Sequence, residues 1–183
     1  MRGLVILGDG FEDTEAIATI DILRRAKLEL DLVAVGDSLE ILTQSGMTVK
    51  ADMLISEIKV ENYNFIVIPG GKAVYNVLDN NLALSDIILD FADKDKLIAA
   101  ICAGPSQVGK LGLYEGKNYT CFPSTEMVIS NGKYQPSNGV VVSDNYITAK
   151  AMGYSIDFAL SIVEYLLGKD ASDKVRKSIN GEV

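Results

Sequence analysis

No histidine occurs among the 183 residues, tryptophan is absent as well, and cysteine appears twice, at Cys102 and Cys121. The missing histidine removes every Cys–His or Ser–His–Asp arrangement that one chain could assemble by itself. It also leaves no ordinary zinc ligand set, since two separate cysteines do not make one. Proton transfer then falls to a carboxyl group, a thiol, a lysine, a tyrosine or water. Two cysteines are too few for a secreted disulfide framework and suit a reducing compartment. No apolar run approaches the ~20 residues that cross a bilayer. The chain opens directly on Leu4-Val5-Ile6-Leu7 instead of a basic stretch with a small-residue cleavage site. The formal charge of -8 disfavours nucleic acid and anionic membranes as partners. The expectation is a soluble, cytoplasmic protein with no metal and no cofactor.

What is present is an ordinary globular mixture, 48% hydrophobic and 23% charged, in a length suited to one domain over residues 1–183. Apolar runs of strand length alternate with segments of helical period. Strands are expected at Leu4–Leu7, Leu30–Val35, Phe65–Ile68, Leu97–Ile101, Tyr119–Cys121, Val140–Ser143 and Tyr146–Ala149. An antiparallel excursion is expected over 38–55, turning at Gln44-Ser45-Gly46. Helices are expected from an Asp13 or Thr14 cap to Ala26, with Ile17, Ile20, Leu23 and Ala26 inward, and over Ala73–Leu78 and Leu82–Lys94. Further helices are expected from the turn Cys102-Ala103-Gly104-Pro105 to about Leu111, from a Ser124 cap to Ile129, over Tyr154–Leu167 and over Ala171–Ile179. Strand–helix alternation with continuously apolar strands implies an α/β fold with a mostly parallel sheet covered on both faces. In such sheets a ligand site lies beyond the carboxyl ends of the strands, which here gathers Gly8–Glu15, Pro69–Gly71 and the turn at Cys102.

Ala99-Ala100-Ile101-Cys102-Ala103-Gly104-Pro105 reads as strand, sharp turn and helix, with small residues flanking the thiol as a nucleophile elbow requires. A helix start behind Cys102 and free amides around it favour a thiolate. An inert core cysteine is the competing reading. Pro69-Gly70-Gly71 ends another strand with residues able to aim a backbone N–H at an oxyanion, although an ordinary turn has the same composition. Gly8-Asp9-Gly10-Phe11-Glu12-Asp13 lacks dinucleotide spacing and carries three acids where a phosphate would sit. Glu15 falls in the first turn of its helix, where dipole complementation alone explains an acid. If it touches Cys102 it has to hold a proton, because a carboxylate beside a thiolate is repulsive. Acid and thiol would then titrate as one unit.

Glu12-Asp13-Thr14-Glu15, Asp21-Ile22-Leu23-Arg24-Arg25-Ala26, Pro69-Gly70-Gly71 and Ala99–Pro105 together resemble the ThiJ/PfpI superfamily, in the branch of Parkinson disease protein 7 and its bacterial counterparts. The similarity runs from residue 2 to about 170 and includes Ile156-Asp157-Phe158-Ala159-Leu160. It implies a flavodoxin-like three-layer sandwich, usually a homodimer, with Cys102 as nucleophile, Glu15 as its acid partner, and oxyanion donors around Gly70, Gly71 and Ala103. It implies a glyoxalase or deglycase acting on a small carbonyl or a glycated adduct, or an oxidative-stress sensor or chaperone using Cys102 oxidation. Many relatives place a histidine where Phe122 stands in Cys121-Phe122-Pro123, and its absence argues against peptidase chemistry. A loop resembling Ser-Arg-Gly-Pro-Gly reads Ala149-Lys150-Ala151-Met152-Gly153, so its polar contacts do not carry over. Cys121 is open to two readings, resolving thiol or bystander. Arg25 reaches either the site or a partner subunit, or serves only as a helix-end cation.

Overall fold

A computed structural model describes residues 1–182. Its frame is a seven-stranded sheet built from β1 (Arg2–Leu7), β2 (Glu29–Ala34), β5 (Met53–Leu54), β6 (Phe65–Ile68), β7 (Leu97–Ile101), β10 (Val140–Ser143) and β11 (Tyr146–Ala149). The spatial order is β10-β11-β7-β6-β1-β2-β5, and every pairing is parallel except the β10–β11 hairpin. Two small ribbons stand apart from it: β3 (Glu40–Leu42) with β4 (Thr48–Lys50), and β8 (Asn118–Tyr119) with β9 (Lys133–Tyr134). The helices are α1 (Asp13–Arg25), α2 (Leu82–Asp93), α3 (Pro105–Gly109), α4 (Ser155–Leu167) and α5 (Lys169–Ile179). The α/β class and the mostly parallel central sheet agree with the sequence.

Alternation along the strands divides the interior into two cores. Val5, Leu7, Val67, Ala99 and Ile101 face Leu23 of α1 and Phe158 and Ile162 of α4. Leu4, Ile6, Ile66, Ile68, Ile98 and Ala100 face Leu84, Ile88 and Phe91 of α2. Strands β6 and β7 are buried along their whole length, as a parallel sheet covered on both sides demands. Among the described residues no helix is long and apolar enough to cross a membrane.

Several local expectations are corrected. Helix α1 is capped by Glu12, whose Oε2 accepts from the Glu15 amide at 2.7 Å; Asp13 instead accepts from the Ser45 amide and hydroxyl. Ile17 is 41% exposed, while Ala16 and Thr19 are buried with Ile20 and Leu23, so the inward stripe is rotated toward the small residues. Val74–Leu78 forms a single π-helical turn. Ser124 sits at φ 78° and makes no side-chain cap, and the helix behind it is a 3-10 turn over Thr125–Val128. The strand expected over Tyr119–Cys121 stops at Tyr119, and Thr120 and Cys121 lead away toward the strand ends.

Candidate active site

Three strand-end segments converge because their backbones are tied to one another. Glu12 donates its amide to the Gly70 carbonyl at 3.1 Å, and Ala73 donates to Gly10 at 3.1 Å. The turn of the β3–β4 ribbon closes the same corner: the Gln44 amide donates to Phe11 at 2.8 Å, while its side-chain oxygen accepts from Lys72 at 3.0 Å. Gly71 adopts φ +90°, and a Cβ there would overlap the Glu12 amide, so only glycine fits this crossing. On the other side, Cys102 donates its amide to Ala149 at 2.9 Å and accepts from Phe122 at 2.8 Å. These bonds fix Cys102 at φ 63°, a left-handed geometry that costs a residue with a side chain on the order of 1–3 kcal/mol. The turn projects the side chain out of the sheet toward α1.

Glu15, 1% exposed, comes from the first turn of α1 and meets Cys102 there. Its Oε2 accepts from the Gly70 amide at 2.8 Å, and its Oε1 has no hydrogen-bond partner. The Cys102 side chain lies beside that carboxyl, the two flanking Gly70. Gly70 is wedged between the two side chains: a Cβ there would lie 2.6 Å from Glu15 Oε2 and 2.7 Å from Cys102 Cβ.

Burial, above all, pushes the Glu15 carboxyl up to about 7; the bonds from Cys102 and the Gly70 amide oppose it. Burial also leads in raising the Cys102 thiol, joined by the charge of Glu15, while the Ala103 and Gly71 amides pull it back. The expectation of a thiol activated by its helix start is therefore corrected. The amides are in place, yet α3 is only five residues long, and burial beside a carboxyl outweighs them. The two groups are best described as one site that keeps a proton through neutral pH, because losing both would set two charges side by side out of water.

Cys102 and Glu15 open into a cavity of about 330 Å³ that also includes Gly71 and Ala103. Glu12, Gln44, Lys72, Tyr75, Ala151 and Met152 line it too, and Phe122 closes one side. Of these, Phe122 and the 149–153 loop were marked in the sequence. Gln44, Lys72 and Tyr75 were not, since they reach the cavity only through the ribbon turn and the π turn. Other candidates fall away. The Gly70 amide is engaged by Glu15 and is not free for an oxyanion. Cys121 is fully buried and packs in the opposite core from the one Cys102 packs against, near Tyr114 and Tyr119. Pro123 does not line the cavity. Arg25 is bonded to Asp21 at 2.8 Å in the last turn of α1, ten residues or ~15 Å along the helix from Glu15. Among the described residues no group of three or more Cys, Asp or Glu side chains is arranged to hold a metal ion.

The DJ-1/PfpI family pattern matches residues 1–165, and the chain belongs to that family. It is 34% identical over 176 residues to Protein DJ-1 homolog B of Arabidopsis thaliana, covering 96% of this chain but only 40% of that relative's length. It is 30% identical over 177 residues to Protein dj-1beta of Drosophila melanogaster, covering 96% and 95% of the two chains. Among solved structures, oxidized Toxoplasma gondii DJ-1 superposes with a TM-score of 0.89 at 31% identity, covering 97% of each chain. Drosophila melanogaster DJ-1beta superposes with a TM-score of 0.91 at 30% identity, covering 97% and 96%.

The raised Glu15 value makes stability depend on pH in a stated direction. An acid whose folded value lies above its ordinary 4.5 stabilises fully below 4.5, and the contribution is lost as pH rises through about 7. Glu15→Gln cannot titrate. Urea denaturation should therefore show the wild type losing stability relative to Glu15→Gln between pH 4.5 and 8, by on the order of 3 kcal/mol. A difference that stays flat over that range would contradict a buried, raised carboxyl.

Proposed function

We propose that this protein is a cofactor-independent, cysteine-dependent enzyme acting on small reactive carbonyls or their glycation adducts, of glyoxalase or deglycase type. The observation that carries this reading is the placement of the buried Glu15 carboxyl beside Cys102 at the floor of a solvent-open cavity. Family membership supports it. The reading takes the working unit as a homodimer in the cytoplasm, the first on the family alone and the second on a thiol that needs reducing surroundings.

The chemistry needs only groups of this chain and water. Glu15 carboxylate takes the thiol proton as sulfur attacks the aldehyde carbon of an α-oxoaldehyde. A carbon–sulfur bond forms, and the carbonyl electron pair moves to oxygen, where the amides of Gly71 and Ala103 lie within the field of the site. That oxygen takes a proton to give the hemithioacetal. Glu15 then removes the hydrogen on the former aldehyde carbon and returns it to the neighbouring carbon, while the hydroxyl proton passes to the former ketone oxygen, leaving a 2-hydroxyacyl thioester. Water cleaves it, releasing the 2-hydroxy acid and returning the thiol. Overall one oxoaldehyde and one water become one hydroxy acid. A carboxyl near 7 suits both directions of this transfer.

A second reading, oxidative-stress sensing, has its own support in the unpartnered Glu15 Oε1 and in a similar structure described as oxidized. Two equivalents of hydroperoxide would carry the thiolate through sulfenate to sulfinate, each releasing an alcohol or water. A protonated Glu15 would donate to a sulfinate oxygen and slow the third oxidation.

Purified protein should form lactate from methylglyoxal. Cys102→Ala should abolish this, and Glu15→Gln should lower kcat by about 10²- to 10⁴-fold. Equal turnover by Cys102→Ala would remove the assignment. Under mild peroxide Cys102 should gain two oxygens by peptide mass spectrometry, and Glu15→Gln should shift the product to three; an unmodified Cys102 would sink the sensor reading.

A further inference from the structure

The walls of the Cys102 cavity differ in chemistry from its floor. Polar groups collect at the floor, where the Gly71 and Ala103 amides and the Glu15 carboxyl surround the sulfur. Above them stand three large side chains that are half in water: Tyr75 at 57% exposure, Phe122 at 47% and Met152 at 53%. They come from three separate segments, the π turn after Gly71, the loop bonded to the Cys102 carbonyl, and the turn after β11. Of the charged groups lining the mouth, Glu12 is committed to the start of α1 and Lys72 is exposed. A substituent on a carbonyl bonded to sulfur shares the cavity with these three apolar faces.

We infer that this site selects aldehydes and α-oxoaldehydes bearing an aryl or branched apolar substituent over methylglyoxal, with Tyr75, Phe122 and Met152 as the residues that determine the preference. The inference rests on the reading that Cys102 adds to carbonyl carbon. A cavity of about 330 Å³ is far larger than a three-carbon substrate fills, and cavities of roughly 300 Å³ and above hold ring-sized ligands. A ring placed there removes water from itself and from three side chains at once. It can stack offset on Tyr75 or Phe122 and meet the Met152 thioether at its edge. A methyl group gains little of this. In the adduct the thiol proton passes through Glu15 to the former carbonyl oxygen, and nothing else is required.

Two measurements separate this inference from the reading beneath it. The first is the alkylation rate of Cys102 by N-phenyl iodoacetamide and by iodoacetamide, each divided by that reagent's rate with glutathione. Sulfur displaces iodide from either reagent, so no turnover is needed. The phenyl reagent should be preferred by about tenfold or more, the discrimination an apolar pocket gives. Tyr75→Ala and Met152→Ala should narrow that ratio, and Tyr75→Phe should keep it. Equal normalised rates in the wild type would overturn the inference. The second is kcat/KM for phenylglyoxal against methylglyoxal, where the same order is expected. A phenyl preference in alkylation with neither oxoaldehyde turned over would support the pocket and defeat the enzyme reading. Turnover of both without preference would do the reverse.

Discussion

A buried carboxyl group and a half-buried thiol that cannot both be ionised form the constraint around which this corner of the molecule is arranged. Glu15 arrives from the first turn of α1, Cys102 from the end of β7, and Gly70 from the end of β6, and each position is needed for the others. The Gly70 amide satisfies one carboxyl oxygen, and its missing side chain leaves room for acid and thiol to approach. Moving any of the three would leave a buried charge without its partner, which costs far more than an ordinary lost hydrogen bond.

Stability and function pull in opposite directions at this point. The left-handed backbone at Cys102 and the desolvated Glu15 both work against folding. Two apolar cores, packed on opposite faces of one parallel sheet, offset them. The sheet supplies rigid ends from which short turns can project side chains at fixed angles. The β3–β4 ribbon and the loop through Phe122 then wall the opening, so the same backbone bonds that fix the pair also shape the cavity above it.

Much of this was legible in the residues. The continuous apolar runs of β6 and β7 announce a sheet covered on both faces, and small residues around Cys102 announce a tight strand-to-helix turn. Glu15 was legible as a candidate because strand-end topology brings the start of α1 to the turn at Cys102. Thiol activation was misjudged, since a short helix start is visible in sequence and the depth of burial is not. Gly70 and Gly71 look alike in sequence; only the fold assigns one amide to Glu15 and aims the other at sulfur. Cys121 lies next to Phe122 in the chain yet is buried in a core while Phe122 lines the cavity, a difference that no periodic pattern announces. Tyr75 and Gln44 reach the cavity through irregular turns that carry no periodic signal.

Proton sharing between these two groups is the central claim, and carbon-13 NMR of the Glu15 carboxyl across pH reads it most directly. The expected midpoint is near 7 and moves when Cys102 is replaced by alanine. A midpoint in the ordinary glutamate range of about 4.3, indifferent to that replacement, would contradict it.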